Sequence, residues 1–124
     1  MGVRLEREAN VWLGTVRPDG RPHLVPIWFV FVNDSFWLAT GADSVKVTNI
    51  RTNPNVVVSL EAGNRPVVAE GTATIRPRPF PTPVVAAFER KYDWDISVTE
   101  DPDVGLVALV EVAVARWIQG GPDA

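Results

Sequence analysis

Residues 23–32, HLVPIWFVFV, restrict the fold more than any other stretch of the chain. A strand with one wet face alternates apolar and polar side chains, and this run does not. It calls for a wall covered on both faces, as in a small β-barrel, or for one face set against a second subunit. Turn residues bound it on both sides. Pro18-Asp19-Gly20-Arg21 precedes it, with Pro presetting φ and Gly accepting a positive φ. Asn33-Asp34-Ser35 follows it as a tight hairpin turn into residues 36–40, FWLAT. Pro26, inside the run, lacks a ladder donor and predicts a bulge or an edge.

The same punctuation recurs along the chain, which has 11 prolines and 9 glycines in 124 residues. Residues 1–9 are charged and read as a loose lead-in or a single helical turn. Strands are expected over 10–17, 23–32, 36–40, 55–62, 67–76 and 104–119, the last as one long strand or a pair. Gly71 is a bulge or close-approach point in the fifth. In the last, Val110, Val112, Val114 and Arg116 alternate with Glu111, Ala113, Ala115 and Trp117. A short helix is expected after Gly41, capped by Asp43 or Ser44 and ended by Asn53-Pro54. A second runs from Thr82, as its cap, to Tyr92, with Val84, Val85, Phe88 and Tyr92 on one face. Residues 77–81 are too proline-rich for regular structure, and 93–103 read as an acidic loop. About six strands joined mostly by hairpin turns, with two short helices, make a mainly β, mostly antiparallel, closed or nearly closed barrel. The length fits one domain, 1–124.

Composition removes several functions. There is no cysteine and one histidine, so thiolate metal sites and disulfides are absent and a zinc site lacks donors. The net charge is −3 without a basic cluster, which speaks against nucleic-acid binding. No apolar run reaches the roughly 20 residues of a membrane helix, and the N-terminal residues are charged where a secretion signal needs an apolar core. A cytoplasmic protein is the expectation. His23 reads as structural or solvent-facing, and Glu61, Glu70 and Glu111 as ordinary solvated faces of strands.

A chain poor in acid–base groups can still do chemistry when a cofactor supplies it. It then needs a phosphate clamp and a wall for a flat ring. The short helix after Gly41 starts with Ser44 and Lys46, where free N–H groups, a hydroxyl and an ammonium converge, although a helix start is by itself only a generic anion site. Arg51 lies on the same helix, five residues on from Lys46, and either joins them or is solvated.

The residues that carry a family resemblance are now in view. They are Asp19-Gly20-Arg21-Pro22-His23 with Val25-Pro26-Ile27-Trp28, Leu38-Ala39-Thr40-Gly41, Ser44-Val45-Lys46-Val47 with Asn49-Ile50-Arg51, Asn53-Pro54, and Glu70-Gly71-Thr72-Ala73. In these the chain resembles the pyridoxamine 5′-phosphate oxidase-like superfamily, and within it the split β-barrel flavin and deazaflavin oxidoreductases. The resemblance implies a split β-barrel and a homodimer with two cofactor sites at the subunit interface. It implies FMN or the deazaflavin coenzyme F-420 along Val25, Pro26, Ile27 and Trp28, its phosphate held by Thr40, Ser44 and Lys46. Arg116 and Trp117 would approach the ring or a small organic substrate from the partner subunit. Two departures stand out. The arginine that usually follows the serine is Val45 here, so one phosphate ligand is missing. The late Arg-x-His motif of vitamin B6 oxidation is also absent. A flavin- or deazaflavin-dependent oxidoreductase is therefore expected, with a non-catalytic flavin- or tetrapyrrole-binding dimeric module as the alternative.

Overall fold

The computed structural model describes residues 2–124. Seven strands and three helices follow one another as α1 (Val3–Arg7), β1 (Asn10–Val16), β2 (Pro22–Val32), β3 (Ser35–Gly41), α2 (Val45–Thr52), β4 (Asn55–Leu60), β5 (Val68–Arg76), α3 (Thr82–Tyr92), β6 (Glu100–Asp101) and β7 (Gly105–Gln119). All strand pairs are antiparallel, in the order β3-β2-β1-β4-β5-β7, and β3 pairs back onto β7. Six strands thus form a barrel, and the two-residue β6 extends β7 at one end. The expected mainly β split barrel is borne out, with one more helix and one more short strand than the sequence suggested. Met1, part of the expected lead-in, lies outside the described residues, and α1 is the single helical turn.

The long strand β2 behaves differently in its two halves. From Phe29 to Val32 it pairs with β3, beyond the end of β1, and both faces are covered. Phe29 and Phe31 enter the barrel core beside Phe36 and Leu38, while Val30 faces outward beneath α3 with Trp37, Phe88 and Leu109. From Pro22 to Trp28 it pairs with β1 alone, in unbroken register. Pro26 therefore sits on an edge and not in a bulge. The turn Asn33-Asp34 has both φ values positive, 52° and 61°, as a two-residue hairpin loop matched to strand twist requires.

That hairpin fixes where backbone groups point. In such a loop Val32 and Ser35 exchange both hydrogen bonds, and parity then alternates along the strand. Val30 faces β3, Phe29 faces the β1 side, and Trp28, Pro26 and Leu24 face away from β1. The missing N–H of Pro26 is thus on the open side and removes no ladder bond. By the same parity Ala39 and Gly41 present their peptide groups to the same opening from β3, while Leu38 and Thr40 pair with Val110 and Ala108 of β7. The barrel is split between Trp28 and Ala39.

Bulges control the last strand. The β5–β7 register shifts between Glu70 and Gly71, as expected for Gly71, where a Cβ would come within 2.5 Å of the Ala113 carbonyl oxygen. The shift ends the simple alternation in β7. Val114 and Trp117, which the pattern puts on opposite faces, both pack on the barrel core, Trp117 against Phe31 and Phe36. Glu111 is also not a solvated carboxylate. It accepts from Ser35 Oγ at 2.8 Å and pairs with Arg76, whose guanidinium lies over Trp37. Thr82 is the first residue of α3, not its cap; Pro81 occupies the cap.

Helix α3 is fastened to β2 by Lys91 and Tyr92. The Lys91 ammonium donates to the Phe29 carbonyl at 2.9 Å and sits 3.7 Å from the Phe29 ring centroid. Burial holds its pKa down at about 8, against a smaller opposing pull from Glu8. Burial pushes the Tyr92 phenol up to about 12, opposed by its hydrogen bond from Phe29. The two shifts act on stability with opposite signs. Between pH 8 and 10.5 the unfolded chain binds the proton that native Lys91 has lost, so stability rises with pH. Between pH 10 and 12 native Tyr92 keeps a proton that the unfolded chain loses, so stability falls. The thermal midpoint is expected to climb from pH 8, peak near pH 10 and fall beyond it. A midpoint that falls steadily from pH 8 contradicts this.

Candidate functional site

Helix α2 carries the chain from β3 to β4 across one end of the barrel. Val47 and Ile50 are buried there, and the buried Asn49 Nδ2 donates to Thr15 Oγ1 of β1 at 3.0 Å. Gly41 is required at the exit from β3, since a Cβ would lie 2.7 Å from the Val104 carbonyl oxygen. Ser44 takes the cap position, as one of the two expected residues, but its side chain makes no capping bond. Its hydroxyl is buried without a partner. The first turn of α2 thus keeps free N–H groups beside an unused hydroxyl. Lys46 follows, half-buried, its pKa lowered by desolvation, and it makes no ion pair among the described residues. An ammonium that has lost water without gaining a carboxylate favours an incoming anion.

The β1–β2 hairpin brings two groups that the sequence did not assign to this place. Thr15 and His23 are register partners, so His23 returns to the level of the Asn49 contact. Desolvation lowers the His23 pKa, and the charges of Arg17 and Lys46 lower it further. His23 Nδ1 and Arg17 Nε are buried without partners. Of four such side-chain atoms among the described residues, three belong to Arg17, His23 and Ser44. Their common neighbourhood is the start of α2. The sequence clue was the Thr15–His23 pairing across a Pro-Asp-Gly turn, which fixes the register.

The other expected residues are distributed as follows. Trp28 and Pro26 present peptide groups to the split; the peptides of Val25 and Ile27 face β1, and the Ile27 side chain is in the core. Thr40 is buried at the other edge of the split and lines a cavity of about 480 Å³ with Trp28. Val45 is 52% exposed and shares a shallow depression with Arg17, Arg21 and Asp43. Arg51 is exposed in the last turn of α2. Arg116 is exposed, its Nε 3.8 Å from Glu70, and lines a separate groove of about 750 Å³ with Gly14, His23, Leu24 and Val57. Within one chain, then, the helix start follows the split by way of Thr40 and Gly41, and Arg116 lies outside both, in a groove that it shares with His23.

The arrangement can hold a small anion at the start of α2 and a flat group in the split, whose edges offer Trp28 N–H and the Trp28 and Pro26 carbonyls. It supplies no nucleophile–base pair and, among the described residues, no cluster of metal ligands. No helix is long and apolar enough to cross a membrane.

The comparisons with known proteins bear on the family and the fold. The model of the family described as Pyridoxamine 5′-phosphate oxidase matches residues 3–119. No curated protein matches the chain. Among solved structures, an F420 reductase superposes with a TM-score of 0.70 at 27% identity, covering 91% of each chain. A conserved hypothetical protein from Mycobacterium tuberculosis superposes with a TM-score of 0.70 at 27% identity, over 97% of this chain and 89% of that one. The heme storage protein HutZ from Vibrio cholerae gives 0.75 at 15% identity, over 90% and 85%, and shares the fold.

Proposed function

The chain belongs to the pyridoxamine 5′-phosphate oxidase family, and from that premise we propose that it is a cytoplasmic oxidoreductase using FMN or coenzyme F-420. The single observation that supports this most is the start of α2: an unpartnered buried hydroxyl, uncapped N–H groups and a desolvated ammonium, beside a split with unpaired edges. When bound, the flavin or deazaflavin ring supplies hydride transfer to or from a small organic substrate. The chain's own residues bind and orient. Ser44 Oγ and Lys46 Nζ would take the phosphate, with Thr40 beside the split. The Trp28 N–H and the Pro26 carbonyl, on the open edge of β2, would hold the ring. Val25 and Ile27 hold that edge in register through β1, and Trp28 helps to exclude water. Arg51, exposed at the far end of α2, is outside this clamp.

A second copy of the chain completes the reading. Trp12, Leu24, Pro26 and Val57 are exposed on the outer face of β1, β2 and β4, with Leu24 at 63%. A homodimer seated on this face would carry its Arg116 towards the partner's split, with Trp117 fixing the strand from the core side. Light scattering should give twice the chain mass, and a strictly monomeric protein would remove Arg116 from the site.

The activity is tested by mixing reduced cofactor anaerobically with the protein and a quinone-like acceptor. Oxidation faster than that of free cofactor is expected; an unchanged rate argues against turnover. A non-catalytic flavin- or tetrapyrrole-binding module is the second reading, favoured by Val45, which leaves the clamp one cation short. Val45→Arg places a guanidinium at an exposed position beside the clamp. It is expected to tighten FMN binding about tenfold. No gain would mark the pocket as shaped for another ligand.

A further inference from the structure

We infer that the cavity at the mouth of the split is a binding site for a planar, positively charged aromatic ligand. Its lining joins segments far apart in sequence: Trp28 from β2, Thr40 from β3, Tyr92 and Asp93 from the end of α3, Trp94, and Asp103 from the turn after β6. Its volume, about 480 Å³, suits one small ring system. The Trp28 indole stacks on Tyr92 at 4.4 Å and 8°, and Trp94 meets it edge-on at 6.0 Å and 73°. Trp28 nevertheless stays 44% exposed, so a second ring can lie against the indole.

Charge selects the ligand. Electron-rich aromatic faces attract cations. Three aspartates, Asp93, Asp101 and Asp103, share the lining, and no Lys or Arg does. Asp101 is engaged in the loop: Oδ2 accepts from Trp94 Nε1 at 3.1 Å, and Oδ1 accepts from the N–H groups of Asp103 and Val104. That bond holds Trp94 in place, while the Asp93 and Asp103 carboxylates make no ion pair among the described residues. The C-terminal end of α3, with the negative end of its dipole, lies at Tyr92 and Asp93. Lys91, 5.3 Å from the Tyr92 centroid, points to the Leu5 and Phe29 carbonyls and is not in the lining. As a binding site the cavity stands on this geometry alone. As the substrate site of the oxidoreductase it rests on the cofactor reading above, and it then selects cationic or electron-poor rings over anionic ones.

Calorimetric titration of the full chain with N-methylquinolinium, neutral quinoline and quinoline carboxylate at pH 7.5 tests this. The cation is expected to bind about tenfold more tightly than the neutral ring, with the anion weakest. Asp93→Asn with Asp103→Asn should bring cation and neutral ring to parity. Asn suits the left-handed backbone of residue 93 (φ 54°), so the fold is retained, which a thermal melt verifies. Equal binding of cation and neutral ring, an unchanged preference in the double variant, or no saturable binding would overturn the inference. FMN and F-420 titrated separately into the same variants keep the two readings distinct. Cofactor binding without cation preference sinks only the cavity assignment, and the reverse sinks only the cofactor.

Discussion

Lys46→Ala is expected to weaken cofactor binding by roughly 10- to 100-fold while leaving the thermal midpoint unchanged or raised. The binding loss follows from removing a charge-assisted contact, worth about 1.5–3 kcal/mol. The stability effect has the opposite sign because the ammonium is desolvated and makes no ion pair among the described residues. Alanine is also a better helix former in the first turn of α2. A lysine that serves the fold would show the reverse: a lowered midpoint and unaltered binding. Titrating the variant with FMN and F-420 beside a thermal melt separates the two.

Tyr92→Phe removes one oxygen and is expected to cost about 2–4 kcal/mol of stability. The hydroxyl accepts from the Phe29 N–H at 2.9 Å and donates to the Ala9 carbonyl at 2.7 Å. It also lies 2.8 Å from the Phe29 carbonyl, which Lys91 already serves. Without it two backbone groups lose their partner, each at roughly 1–3 kcal/mol, the Ala9 group less because water reaches it. The ring remains, so its stacking on Trp28 persists and the loss is the hydroxyl's. Tyr92 is the chain's only tyrosine. The variant should therefore also lose the fall in stability between pH 10 and 12. Urea denaturation at pH 7 and pH 11 measures both. A cost below about 0.5 kcal/mol would show that Tyr92 does not fasten α3 to β2 through its hydroxyl.

Local chemistry made most of the barrel legible. The Asn33-Asp34 loop, the Pro18–Gly20 turn and the Gly71 bulge each rest on a residue type with a distinctive backbone preference, and the helix ending at Tyr92 rests on its apolar spacing. Features that depend on neighbours were not legible. Trp117 follows the one register shift in β7 opposite Glu70 and Gly71, and one added residue turns the side chains after it to the other face. Glu111 looks like a surface carboxylate until Arg76 and Ser35 arrive from β5 and β3. Pro26 gave edge or bulge, and only hairpin parity shows that its missing N–H faces the split.

The candidate site divides in the same way. Ser44 and Lys46 were readable because a helix start is built from consecutive residues. Arg17 and His23 were not, since their approach to Lys46 needs the hairpin register and the Asn49–Thr15 bond. The aromatic cavity gathers Trp28, Tyr92, Trp94 and Asp103 across three connections, and an acidic loop alone gives no hint of the indoles behind it.

Isothermal titration of wild type and Lys46→Ala against FMN and F-420 bears most directly on the central claim. Saturable binding of one of them at one site per chain, lost by a factor of ten or more in the variant, is the predicted result. Binding of neither, or equal affinity in both proteins, would contradict a phosphate held at the start of α2.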